Sequence, residues 1–330
     1  MQSSSGSVQW TEGAVSFSDA LTDNLRAGIQ LHMYQLGQLG GPNIQVDWAS
    51  GDYRVNDYFG IRAGKVKTAV GLFNDSQDVD AIFLWTLLPQ SVYPIDDRGF
   101  FLSHLGGEVY GHVPLPHQAG SVKYDGYAGQ VTLDLNGGFA LLLAQAGLVF
   151  TEPPSGKAYG GDLRWINQGL TVGASGYVQT ADGKALNGGE HLAPFFVSGE
   201  YAKFEKGKYF VAGEYRRIPS NPVVTIGTAI VPIPLDQRGW FGMASYQVSR
   251  KIQLGSYYSH YVNKAGDPSQ PANYSKDFVL SGRYDFNRYF YGKIEEHFLH
   301  GTGLGYYAST NPQGLQPNSS ILAAKIGFSF

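Results

Sequence analysis

The connections between the candidate strands of this chain alternate between short and long, and few folds impose such a rule. Alternation of apolar and polar residues, broken by turn signals, marks strands at 7–18, 23–36, 43–54, 58–67, 101–111, 120–134, 158–166, 169–182, 193–204, 207–217, 238–248, 251–264, 276–286, 288–301 and 319–330. Tight turns fall at 56–57, 167–168, 205–206, 249–250 and 286–287, and long connections at 68–100, 135–157, 181–192, 218–237, 265–275 and 302–318. A soluble sandwich has no reason to sort its loops by length. A membrane-spanning barrel does, because its turns on one side are short and its loops on the other are long.

The last segment carries the same message. In Ile321-Leu322-Ala323-Ala324-Lys325-Ile326-Gly327-Phe328-Ser329-Phe330, one face holds Leu322, Ala324, Ile326, Phe328 and Phe330, and the other holds Lys325, Gly327 and Ser329. Lipid offers backbone N–H and C=O groups no partners, so a sheet crosses a bilayer only when it closes and leaves no edge. Phe330 at the end of such a strand reads as the signal through which barrel-assembly machinery recognises the chain. The expected fold is all-β: one transmembrane antiparallel β-barrel domain over 1–330, in a bacterial outer membrane, in contact with membrane lipid and lipopolysaccharide.

Composition agrees. Charged residues make up 15% of the chain, against the roughly 25% usual in soluble domains, while 44 glycines, 22 tyrosines and 19 phenylalanines suit a lipid-facing sheet. The longest nearly apolar run, 139–150, is too short for a transmembrane helix and is interrupted by Gln145. Its Phe139, Leu142, Leu143 and Ala146 lie at helical spacing and suggest a short packed helix in an external loop. With no cysteine there is no thiolate metal site, and no other spacing points to a metal or cofactor. A net charge of -3 gives no nucleic-acid footprint.

Fifteen strands are an odd number, whereas single-chain bacterial barrels have an even one with both ends in the periplasm. The expectation is sixteen strands in the full-length protein, with the first strand and a signal peptide preceding Met1. The rival repair makes 139–150 itself a strand.

The series opposite the apolar one supplies the candidate pore lining: Arg26, Gln30 and His32; Asp47; Asp162 and Arg164; Glu200; Glu214 and Arg216; Arg283 and Asp285; Lys293, Glu295 and His297; and Lys325. Glu296 falls in the lipid series beside Ile294 and Phe298 and has no evident place there. The long connection 68–100 is the second candidate. Asp75, Asp78 and Asp80 stand near the start of a short helix expected around 77–88, and the connection continues through Tyr93, Asp96, Asp97 and Arg98. Folded inward, these acids would face Arg62, Lys65 and Lys67, and acid opposite base across a constriction tunes ion selectivity. The alternative packs this connection on a neighbouring subunit. Aromatic clusters at Tyr53, Tyr58 and Phe59, at Tyr201, Phe204, Tyr209 and Phe210, and at Phe286, Tyr289, Phe290 and Tyr291 read as a girdle at the short-turn interface.

Three functions compete: a passive channel for small hydrophilic solutes or ions, a plugged structural or adhesive barrel, and an outer-membrane hydrolase. Eight histidines without a metal-ligand spacing or a nucleophile elbow weigh against an enzyme.

The runs Phe59-Gly60-Ile61-Arg62-Ala63-Gly64-Lys65-Val66-Lys67, Gly71-Leu72-Phe73-Asn74-Asp75, Leu88-Pro89-Gln90-Ser91-Val92-Tyr93 and Gly327-Phe328-Ser329-Phe330 resemble bacterial outer-membrane porins, most of all the phosphate-selective porin-like group and its uncharacterised relatives. That resemblance implies sixteen strands, a homotrimer, an inward-folded loop and passage of small hydrophilic solutes. It departs where phosphate would matter: Arg164, Arg216 and Arg283 alternate with Asp162, Glu214 and Asp285 instead of forming a basic ladder.

Overall fold

The computed structural model describes the chain except residues 1–7, 9, 37–38, 139, 141–143, 145–148, 187, 221–222, 227–228, 233 and 305–313. The strands are β1 (Trp10–Ala20), β2 (Leu25–Leu36), β3 (Leu39–Asn56), β4 (Phe59–Lys67), β5 (Ser103–Pro114), β6 (Ser121–Thr132), β7 (Ser155–Asn167), β8 (Leu170–Ala185) and β9 (Gly188–Lys206) in the first part. They continue as β10 (Tyr209–Ser220), β11 (Val223–Ile226), β12 (Ala229–Pro232), β13 (Leu235–Gln247), β14 (Ile252–Asn263), β15 (Tyr274–Asp285), β16 (Phe290–Gly301) and β17 (Asn318–Phe328). Fifteen of them form one sheet in sequence order, each antiparallel to the next, and β11 with β12 makes a separate hairpin inside one long connection. This meander is the architecture that the alternation predicts, but 181–192, expected as a long connection, is instead mostly strand, since β8 runs on to Ala185 and β9 starts at Gly188. The helix expected over 139–150 lies largely outside the described residues.

The sheet curls until its ends meet through side chains. Lys325 of β17 donates to Glu12 Oε2 of β1 at 2.8 Å and stands 5.1 Å from the Trp10 ring centroid. No backbone ladder joins β1 to β17 among the described residues.

Period-two alternation sorts the two faces. Leu163, Val172, Leu254, Phe278, Leu280, Ile294, Phe298, Leu322 and Ile326 are exposed on the outside. At the short-turn end Tyr53, Tyr58, Phe204, Tyr209, Phe286, Tyr289 and Phe290 are exposed, but Tyr201 and Tyr291 turn inward, where they donate to Asp162 and Asp80. Glu200 corrects the expected lining: Tyr201 takes the inward position, so Glu200 faces outward between Ala174 and Tyr215. Lys65 is a second correction. It pairs in register with Ala49 and with Leu105, which is exposed on the outside, and its amine donates to the Val46 carbonyl. Glu296 does face outward, between Leu280 and Leu322.

Asp47 enters the interior by a bulge. Gln30 pairs with Trp48 and Leu31 with Val46, so Asp47 is the extra residue and both it and Trp48 point inward.

If β15 crosses lipid as described, Leu280→Arg should lower stability in lipid vesicles by about 2–4 kcal/mol. Urea unfolding followed by tryptophan fluorescence checks this, and Lys276→Arg on the same outer series near the strand end should be close to neutral.

Candidate functional site: the loop inside the barrel

Residues 68–102 leave β4, run inside the sheet and return to β5. Apolar side chains of the loop, Leu72, Phe73, Leu84, Trp85, Val92 and Tyr93, are buried with inward residues of the wall, Tyr201, Ala212, Phe241, Met243, Tyr257 and Val279. A second cluster joins Ala69 and Val70 to Tyr127, Val131, Ala158, Tyr177 and Val197.

A loop buried this way must find partners for its backbone polar groups, and the wall supplies them with charged side chains. Glu214 on β10 accepts from the Leu72 N–H at 3.1 Å and from the Tyr93 hydroxyl, which also receives the Phe73 N–H at 2.9 Å. Burial and the Glu214 charge push the Tyr93 hydroxyl well above its ordinary range, so it stays a neutral donor. Glu295 on β16 accepts the Thr86 and Leu87 N–H groups, both at 3.0 Å. Arg283 donates to the Ala81 and Phe83 carbonyls, and Lys293 to those of Asp80 and Trp85. Each hydrogen bond to a charged group is stronger than a neutral one, and six loop backbone groups between 80 and 87 are held by three wall side chains.

That arrangement explains why the helix expected around 77–88 does not form. Only a single 3₁₀ turn, Asp80–Ile82, appears there, followed by another at Ile95–Asp97 and one α turn at Arg98–Phe101. Carbonyls and amides that a helix would pair internally are taken by the wall.

Two glycines permit the close approach. Gly71 has φ +71°, and a Cβ there would lie 2.3 Å from Glu214 Oε1. On β13, a Cβ at Gly239 would lie 1.9 Å from the Ser91 carbonyl oxygen.

Acid does meet base across the interior, in direct contact. Asp78 pairs with Lys67 at 2.8 Å, Asp75 with Arg164 at 3.5 Å, and Asp80 with both Lys293 and Lys325 at 3.0 Å. Arg164 also holds Asp162 at 2.6 Å, and Arg283 holds Asp285 at 2.9 Å. In the reverse sense the loop's Arg98 reaches Asp47 on the wall at 2.7 Å. Arg98 also donates to His32 Nδ1, so Nε2 carries the ring proton and gives it to Glu12. Glu12, Lys325 and Asp80 complete a chain of contacts from β3 across the β1–β17 seam to the loop. Glu12, not among the expected lining residues, shares its period-two series with Ala14, Ser16 and Ser18, opposite Val15 and Phe17, and that alternation is the sequence signal for its inward place. On β16, His297 lies between Asp277 and Glu295, at 2.8 and 2.9 Å.

The remaining expected residues lie elsewhere on the inner wall. Arg62 bridges Asp52 at 2.9 Å and Glu108 at 2.7 Å and keeps about a third of its side chain exposed (35%). Arg26 is exposed toward the short-turn end, with Asp52 as its cross-strand neighbour. Arg216 stands over the Phe101 ring, 5.4 Å from its centroid. Between the loop and β8–β10 is a cavity of about 20 Å³ lined by Asn74, Gln77, Arg98, Glu214 and Arg216 among others, room for about one water. Among the described residues no group of three His, Asp or Glu side chains is placed to hold a metal ion.

No protein-family model matches the chain, and no curated protein matches it in sequence. Solved structures do. The anion-selective porin of Comamonas acidovorans superposes with a TM-score of 0.58 at 14% identity, covering 96% of this chain and 88% of that one. OmpF of Salmonella typhi gives 0.58 at 12% identity, over 97% and 91%. OmpT, an outer membrane protein of Vibrio cholerae, gives 0.57 at 11%, over 97% and 90%. The fold is that of the outer-membrane porins.

Removing one wall acceptor should loosen the loop and leave the barrel standing. In Glu295→Ala the Thr86 and Leu87 N–H groups lose their acceptor, at about 1–3 kcal/mol for each buried group left unpaired. Limited proteolysis of folded protein should then cut within 80–90 at least tenfold faster than in the parent.

Proposed function

We propose that this protein is a passive channel of the bacterial outer membrane for small hydrophilic solutes or ions, narrowed by the loop 68–102. The observation that carries the reading is the division of the inner wall. The loop packs on the wall from β6 round to β16, whereas near the short-turn end of β2–β4 the charged side chains Arg26, Asp52 and Arg62 keep contact with water. A charged, wetted wall beside a fixed constriction is what ion and solute selection uses.

Closure of the barrel is part of the proposal. β1 and β17 run in the same direction, so one further strand between them would be antiparallel to both and bring the number to sixteen. Glu200 and Glu296 face the lipid side, where a carboxylate is unfavourable near the midplane; they support an assembly, taken as a homotrimer, that covers part of the outer face. Phosphate selectivity forms no part of the reading, since Arg164 and Arg283 are neutralised by Asp162 and Asp285.

One observation favours a second reading, a barrel closed by its loop: the aromatic cluster of Phe73, Tyr93 and Phe241 fills the space between loop and wall.

Planar-bilayer recording decides between them. The channel reading expects steady ohmic steps, in threes for a trimer, and a reversal potential under a salt gradient. Silence from protein shown to be folded would overturn it in favour of the closed barrel.

A further inference from the structure

The outer face of the barrel carries a basic cluster that neither the pore nor the loop uses. Arg217 and Arg238 are cross-strand neighbours on β10 and β13, and both fall in the outward series, since Glu214 and Arg216 on β10, and Phe241 and Met243 on β13, point inward. Asp236 holds the two together. It accepts from Arg217 Nε at 2.9 Å and Nη2 at 3.4 Å, and from Arg238 Nε at 3.2 Å and Nη2 at 2.6 Å. The remaining nitrogen of each guanidinium takes no part in these bonds, and two cations around one carboxylate leave a net positive pair. One register row farther on, Trp240, His260, Lys276 and His300 face outward as successive cross-strand partners on β13–β16.

Arg217, Arg238, His260, Lys276 and His300 lie within three residues of a strand end, and each of those ends adjoins a long connection. By loop length this is the external side. Just below them along the same strands are Tyr258, Phe278 and Phe298, exposed members of the apolar belt, and Trp240 packs 5.5 Å from Tyr258 and 6.0 Å from His260. The cluster therefore sits where the hydrocarbon belt gives way to headgroups, facing the lipid and away from the lumen. His300 is held by the Tyr274 hydroxyl and Asn318, which leaves Lys276, 5.6 Å from the Tyr274 ring centroid, as the cation of that row.

We infer that Arg217, Arg238 and Lys276, flanked by His260 and His300, form a binding site for the phosphate groups of an outer-leaflet glycolipid headgroup. Guanidinium groups already oriented by Asp236 suit bidentate contact with phosphate oxygens, and the aromatic residues below suit the start of the acyl chains. Free phosphate in water would gain nothing from that aromatic floor. The site depends on the barrel's standing in an outer membrane and not on its conducting.

The test uses the full chain reconstituted in phosphatidylcholine vesicles doped with diphosphoryl lipid A, re-extracted in detergent, with co-purified lipid A measured by mass spectrometry. Each cation near a charged headgroup is worth about fivefold in binding, so Arg238→Gln with Lys276→Gln should retain roughly thirtyfold less lipid A than the parent. Lys206→Gln with Lys208→Gln, at a short turn on the opposite side, should retain as much as the parent. Folding is checked by heat-modified gel migration; should the double variant fail that check, Lys276→Gln alone should still show about a fivefold loss. Equal retention by parent and Gln variants would overturn the site, as would equal binding of a dephosphorylated lipid. Displacement by millimolar inorganic phosphate would make it a site for free anions and overturn the lipid assignment.

Discussion

Glu214 and Glu295 accept backbone N–H groups from a loop that has almost no secondary structure of its own, and the interior of the barrel depends on those bonds. An irregular backbone buried away from water carries unpaired donors and acceptors at every residue. Here Arg283 and Lys293 take carbonyls while the two glutamates take amides, so the wall does for residues 71–87 what a helix would do internally. Without that polar clamp, the aromatic contacts of Phe73, Trp85 and Tyr93 would bury apolar surface only by stranding the peptide groups between them. Charge on the wall thus holds the loop and, on the proposed channel reading, also sets the field that a passing ion would meet.

The same economy appears at the seam. Lys325 contacts Glu12 on β1 and Asp80 on the loop, so one side chain ties the last strand, the first strand and the loop together. Through Glu12 and His32 the chain of contacts continues to Arg98 and Asp47. A substitution at Lys325 would therefore be felt by both the barrel's closure and the loop, which couples assembly to the width of the interior.

Much of the architecture was legible because the membrane leaves a chain so few choices. Period-two alternation and the sorting of loop lengths give fifteen strands in a single meander, and of the bases expected opposite the loop acids Lys67 meets Asp78, whereas Asp75 and Asp80 reach Arg164, Lys293 and Lys325 in place of Arg62 and Lys65. What was not legible has particular causes. Phe241, Met243 and Val279 point inward beneath the loop, and an alternating pattern cannot separate an apolar residue facing a buried loop from one facing lipid. Glu200 falls in the series opposite the apolar one in the sequence, but Tyr201 has the better inward partner in Asp162 and takes the inward position. Lys65 follows Gly64, whose φ of +124° marks an irregularity in the strand, and so falls on the outer series. The helix around 77–88 had acids suited to its first turn, yet those acids found lysines and an arginine on the wall, and tertiary contacts overrode local propensity.

The clamp itself is open to direct measurement by hydrogen exchange on the folded protein in lipid. If Glu214 and Glu295 hold the loop as described, the amides of Leu72, Thr86 and Leu87 exchange as slowly as those of β13 and β14. Exchange of these three amides as fast as that of residues 265–270, in the exposed connection after β14, would contradict a docked loop and with it the account of the interior.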